Sequence, residues 1–196
     1  MNKRIYISAD YAENDGDRKV VEELKKWGRD NYHLSDFVDM AEVISGSVSK
    51  NNPDCRICDL KEEFNKQIKA SSIVLLVVGD KTKDRTAGSR CDGVMCTPYK
   101  QNANGTRFCK WHSIFDLHDG SVKPINRYSY LRHEFEQAKA MGKQIVIVYN
   151  SSRRETSWLP SYMHGYEDKA VPFWTNVGYL SRSGNYKVIK GLLGYD

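Results

Sequence analysis

Two sets of residues carry side chains that could do chemistry. The first is a single carboxylate. Residues 126–149 read NRYSYLRHEFEQAKAMGKQIVIVY, a short amphipathic helix running into an apolar strand, and Glu134 stands beside the helix's apolar stripe. At 100° per residue, Leu131, Phe135 and Ala138 form the buried stripe, Glu134 lies about 60° from its centre, and His133 points nearly opposite, toward solvent. A carboxylate at the margin of a buried face is partly desolvated yet within reach of a cleft. There it could accept hydrogen bonds from a substrate or stabilise positive charge developing on one. The same position also suits an ordinary glutamate near a helix N-terminus, where the macrodipole favours it. The second set is Cys91-x4-Cys96-x12-Cys109-x2-His112. Thiolate and imidazole pairs separated by a longer loop can supply the tetrahedron that zinc requires. A loop-rich segment without its own apolar core would gain most from such a staple. Free cysteines in a reducing compartment need no metal, so both readings stand. Cys55-x2-Cys58 precedes a helix but follows a Pro/Asn loop, without the strand that introduces a thioredoxin-like redox pair. Those two cysteines could instead join the ligands of the longer set.

The elements that must position these groups alternate along the chain. Residues 4–8 (RIYIS) read as a strand. DRKVVEELKKWG then places Val20, Val21, Leu24 and Trp27 on one helical face, with Gly28 as its stop. A second strand ending near Asp39 is expected within 34–43. Residues 59–70 form a helix with Leu60, Phe64 and Ile68 on one face, and Asp59 with Glu62 reads as a capping-box start. The continuous apolar run IVLLVV at 73–78 predicts a strand buried on both faces, as in a parallel sheet. The Glu134 helix and the strand at 144–149 follow, then a final strand at 170–174 (AVPFW) and a final helix in NYKVIKGLL. This alternation predicts an α/β, flavodoxin-like, doubly wound fold. Its mostly parallel five-stranded sheet carries helices on both faces. Residues 81–126 break the rhythm and read as a loop-rich insertion with compact structure of its own, because a structureless loop of that length is uncommon inside a domain. The whole chain, 1–196, is read as a single domain.

Composition bounds the function classes. The chain has 196 residues, 40% hydrophobic and 28% charged, with a formal charge of +5. The basic excess is spread along the chain, which suits a mild preference for anionic ligands. No basic stripe interleaved with aromatics stands out, and this argues against a nucleic-acid surface. The apolar run at 73–78 is too short to span a bilayer, and the N-terminus lacks a signal peptide's apolar stretch. Five cysteines, an odd number, without a secretion signal point to a reducing cytoplasm.

The series RIYISADY, an amphipathic helix, DLKEEFNKQIKASSIVLLVVGDKT and SYLRHEFEQAKAMGKQIVIVY resembles the TIR-like family, within the branch that includes the TIR-like subunit of the Thoeris antiphage system. In that family an aromatic, a small or aliphatic residue, two variable positions and a glutamate open the helix after the third strand. Tyr130-Leu131-Arg132-His133-Glu134 fits, with Tyr in place of the usual Trp, and Ser8-x-x-Tyr11 also looks like that branch. The resemblance covers about three-quarters of the chain, leaving out the insertion and parts of 40–58 and 150–170.

The resemblance implies cleavage of the nicotinamide–ribose bond of NAD, giving an ADP-ribose-derived nucleotide, cyclic or conjugated, that signals to a downstream effector in antiphage defence. It also implies self-assembly and allows a phage-derived activator. Glu134 would be the catalytic carboxylate. Ligands of open α/β sheets gather outside the carboxyl ends of the strands. There Ser8 and Asp10 could hydrogen-bond a ribose or adenosine, Tyr11 could stack on a base, and Tyr130 keeps a ring at the helix start. Asp39 could be a second carboxylate, Lys81 and Thr82 could line the same cleft, and Arg18 could neutralise a diphosphate. Each also has a plain structural account as a strand-end, turn, packing or exposed residue. The main rival is a non-catalytic scaffold or binding module of the same fold, in which Glu134 would be paired on the surface with a Lys or Arg. A third class, a nucleic-acid-directed nuclease or binder, would need carboxylates clustered for a metal, which Asp10, Asp39 and Asp80 at strand ends could supply.

Overall fold

The computed structural model describes residues 3–10, 17–29, 35–39, 56–85, 99–101, 107–109, 129–179 and 181–195. Along the chain these form β1 (Lys3–Ser8), α1 (Asp17–Gly28), β2 (Ser35–Asp39), α2 (Arg56–Ala70), β3 (Ile73–Val78), β4 (Tyr99–Gln101), β5 (Arg107–Cys109), α3 (Tyr130–Ala140), β6 (Gln144–Tyr149), β7 (Val171–Pro172), β8 (Trp174–Val177), β9 (Ser181–Gly184) and α4 (Tyr186–Leu192). One five-stranded sheet has the order β2-β1-β3-β6-β7, and every neighbouring pair in it is parallel. This is the doubly wound, flavodoxin-like order, with the chain reversing its winding direction between β1 and β3.

The central strand β3 is buried at all six positions, as its unbroken apolar run requires. Alternate residues feed two cores. Ile5, Ile7, Ile73, Leu75, Val77, Val146 and Val148 pack with Val20, Val21, Leu24 and Trp27 of α1 and Ile189 of α4. Tyr6, Val74, Leu76, Val78, Ile147 and Tyr149 pack on the opposite face with Leu60, Phe64 and Ile68 of α2 and Leu131, Phe135 and Ala138 of α3. The stripes expected of the helices at 17–28, 59–70 and around Glu134 are therefore the ones that bury. Trp27 is pinned by a stacked contact with Phe173, ring centroids 5.3 Å apart, and an edge contact with Tyr186 at 5.0 Å.

Two expectations need correction. The second long helix begins at Arg56, so Asp59 and Glu62 lie inside it and not at its start. Ile57 stands three residues before Leu60 and extends the apolar spacing upstream. The final strand is shorter than AVPFW. Only Val171 and Pro172 pair with β6, and Trp174 opens an antiparallel hairpin with β9. Proline has no N–H to give a further neighbour, and an edge strand is where that is tolerated. Of the insertion, a 3-10 turn (Thr82–Asp84) and the antiparallel pair β4–β5 are described. No helix among the described residues is long and apolar enough to cross a membrane.

Candidate functional site

Glu134 projects from the second turn of α3. Ser129 starts that helix: its extended backbone ends the preceding segment, and its hydroxyl accepts the Arg132 N–H at 3.0 Å. Strand β1 supplies the other half of the site. Tyr6 and Ser8 are two apart and so project to the same side of the sheet. The Tyr6 hydroxyl donates to Glu134 Oε1 at 2.6 Å, and the Ser8 hydroxyl donates to Oε2. Tyr6, Ser8 and Glu134 are all 0% exposed. Glu134 is therefore not at the margin of the buried face but wholly inside it, against the carboxyl end of β1.

Burial dominates its electrostatics. Desolvation pushes the Glu134 carboxyl up to about 7, while the hydrogen bonds from Ser8 and Tyr6 pull it part of the way back. The group is thus close to half ionised at neutral pH. Behind it, the Tyr162 phenol is pushed up to about 12, mainly by burial, and stays neutral. A buried carboxyl poised between its two states at neutral pH, beside neutral hydroxyls, can accept hydrogen bonds, carry charge or hold a proton.

His133 is not at the surface. It is 7% exposed, and its Nε2 lies 2.9 Å from Asn65 Oδ1 of α2. The α3 helix is flanked by α2 as well as covered by the sheet, so its buried arc is wider than the apolar stripe. Arg132 and Glu136 pair with each other at 2.8 Å and mark the more exposed arc.

The other expected site residues divide. Ser8 meets Glu134 directly. Asp10 lies just beyond the end of β1 and forms an ion pair with Arg85, its Oδ2 2.7 Å from Arg85 Nε, which joins the segments leaving β1 and β3. Asp39 is 2% exposed and pairs with Lys25 of α1 at 2.7 Å. It is in register with Ile7, which puts it on the α1 face, away from Glu134. Tyr130 sets its ring edge-on to Phe64, centroids 5.6 Å apart. Lys81 and Arg18 are exposed, and Asp80 is exposed too, so the three aspartates do not form a metal cluster. Thr82 is buried, its hydroxyl accepting the Gly79 N–H at 2.8 Å. Tyr11, Cys55, Cys91, Cys96 and His112 lie outside the described residues. Cys58 falls within α2, and Cys109 ends β5 opposite Tyr99. Among the described residues no group of three or more His, Cys, Asp or Glu could hold a metal ion.

Two features escaped the sequence reading. Tyr6 entered only as part of the strand at 4–8, although a tyrosine in a buried strand must find a partner for its hydroxyl, and that was the available signal. On the opposite face, buried Asp17 accepts from Asn150 Nδ2 at 2.8 Å, and Asn150 Oδ1 accepts from Trp174 Nε1 at 2.7 Å.

No protein-family model and no curated protein matches the chain. Among solved structures it is similar to a 2-deoxyribosyltransferase from the psychrotolerant bacterium Bacillus psychrosaccharolyticus, with 15% identity and a TM-score of 0.43 over 84% of this chain and 88% of that one. At that level the likeness carries no argument about the site.

Proposed function

We propose that the chain is a TIR-like enzyme that cleaves the nicotinamide–ribose bond of NAD and releases an ADP-ribose-derived signalling nucleotide in antiphage defence. The observation that carries this reading is the Glu134 carboxyl, held by the Tyr6 and Ser8 hydroxyls where β1 ends beside β3. Ligands of doubly wound sheets bind outside these strand ends, at the point where the winding reverses.

The chemistry suits one carboxylate. Nicotinamide leaves as a neutral ring from a cationic one, so it needs little acid assistance. The ribose passes through an oxocarbenium-like state, whose positive charge the ionised Glu134 stabilises while accepting from the sugar hydroxyls. The anion is the working form, so the acid limb of the rate profile falls near the carboxyl's own titration, about 7. Glu134 has no exposed surface in the single chain. A sugar therefore reaches it only after the site opens, which fits an enzyme that waits for assembly or for a phage-derived activator. Cytoplasmic action, where NAD is available, and an effector that reads the product complete the proposal.

The rival scaffold reading expected Glu134 at the surface beside a Lys or Arg. Its burial between hydroxyls instead favours the enzyme: among the described residues it has no ion-pair partner, and an ionisable group kept so is costly to the fold alone. The test is nicotinamide release from NAD by the chain at high concentration, alone and in extract of phage-infected cells. Glu134→Gln, which keeps the shape and loses the charge, is expected to reduce the rate by about 100-fold or more. Equal rates in the two proteins would remove the mechanism.

A further inference from the structure

We infer that Tyr6 is a positioning residue for Glu134: its buried phenol, with the Ser8 hydroxyl beside it, fixes the carboxyl's orientation and sets how readily it gives up its proton. The geometry is specific. Two hydroxyls from alternate residues of one strand address the two oxygens of one carboxyl, one each, and all three side chains are sealed from water. A carboxyl gripped at both oxygens cannot rotate about its terminal bond without losing a partner in a place where none can be replaced.

The proton has a defined place in each state. When Glu134 is neutral, its proton sits on Oε2 and is donated to Ser8 Oγ, because a serine oxygen is a better acceptor than a phenol oxygen. Tyr6 goes on donating to Oε1. On ionisation the proton leaves to solvent and the Ser8 hydroxyl turns to donate to Oε2. Tyr6 is thus the constant anchor and Ser8 the partner that reverses. Both bonds are stronger to the anion than to the acid, so both favour ionisation.

Among the described residues, the other titratable groups around Glu134 leave this role to the hydroxyls. From the sheet, the same face presents Tyr149, a second buried phenol, among apolar residues. From the turn at Ser161–Met163 comes Tyr162, neutral to about 12. On α3 itself Arg132 is paired with Glu136, and His133 is bonded to Asn65 of α2.

The catalytic meaning of this role rests on the NAD reading, but the carboxyl's titration belongs to the substrate-free chain, so the two can fail separately. The experiment is a carbon-13 titration of glutamate side-chain carboxyls in the whole protein, with the Glu134 signal assigned by its loss in Glu134→Gln. Tyr6→Phe is expected to move that titration upward by about one unit, and Ser8→Ala in the same direction. The acid limb of nicotinamide release should move with it. A folded Tyr6→Phe whose Glu134 titrates within about 0.2 units of wild type would overturn the inference. Should Tyr6→Phe not fold, Ser8→Ala decides the matter by the same criterion, since both hydroxyls are claimed. A chain that releases no nicotinamide, even at high concentration in extract of phage-infected cells, while the titration shifts as expected would leave the positioning role standing and defeat only the NAD reading.

Discussion

A glutamate with no exposed surface, gripped by two neutral hydroxyls, works against the stability of the fold whenever it is charged. The carboxyl's ordinary value of 4.5 rises to about 7 in the folded chain. Below 4.5 it is neutral in both the folded and unfolded states. As pH rises from 4.5 to about 7, the unfolded chain ionises while the folded one stays protonated, so stability falls; above 7 the loss is constant. Its size is on the order of 3 kcal/mol. Glu134→Gln removes this dependence. Urea unfolding at about pH 5 and about pH 8 should therefore show the variant gaining on wild type at the higher pH. Parallel behaviour at the two pH values would mean that the carboxyl is not desolvated as described. Helical periodicity brought Glu134 next to the buried stripe, and the strand-end rule brought Ser8 to the end of β1, but neither showed that the two meet or that Glu134 is wholly buried. The role of Tyr6 was not legible, because its partner lies 128 residues away and nothing local distinguishes it from core.

At the scale of elements, α3 owes its placement to contacts on two sides. Its apolar stripe rests on the sheet, and His133 ties its flank to Asn65 of α2. A wheel drawn from one helix sees the first side and misses the second, which is why His133 was assigned to solvent. The junction between β3 and α1 is equally tight. A Cβ on Gly79 would lie 2.8 Å from Asp17 Oδ1 and 3.1 Å from Oδ2, and that carboxylate is buried and held by Asn150. Gly79→Ala is therefore expected to destabilise the chain by about 1–3 kcal/mol, read as a lower urea midpoint. An unchanged midpoint would show that Asp17 yields more easily than its hydrogen bond suggests. The close approach at Gly79, like the hairpin that follows β7, depends on which segments meet in space. Local periodicity does not carry that information, whereas the apolar run of β3 did announce a strand covered on both sides.

For the molecule as a whole, alternation of strands and helices was enough to foresee the doubly wound fold, because crossovers between parallel strands leave few topologies. The pairing register was not foreseeable, and it decides which strand-end carboxylates share a face. Asp39 pairs with Ile7 and so belongs to the α1 side with Lys25, whereas Ser8, one residue further along β1, faces α3 and Glu134. The winding thus separates a carboxylate paired with Lys25 on one side from one held by two hydroxyls on the other. We propose that this second carboxylate breaks NAD to make a signal. Its most direct test is the nucleotide content of phage-infected cells that express either the wild-type chain or Glu134→Gln at equal levels. NAD is expected to fall and an ADP-ribose-derived nucleotide to accumulate with the wild type alone. Matching NAD levels and matching nucleotide profiles in the two cultures would contradict it.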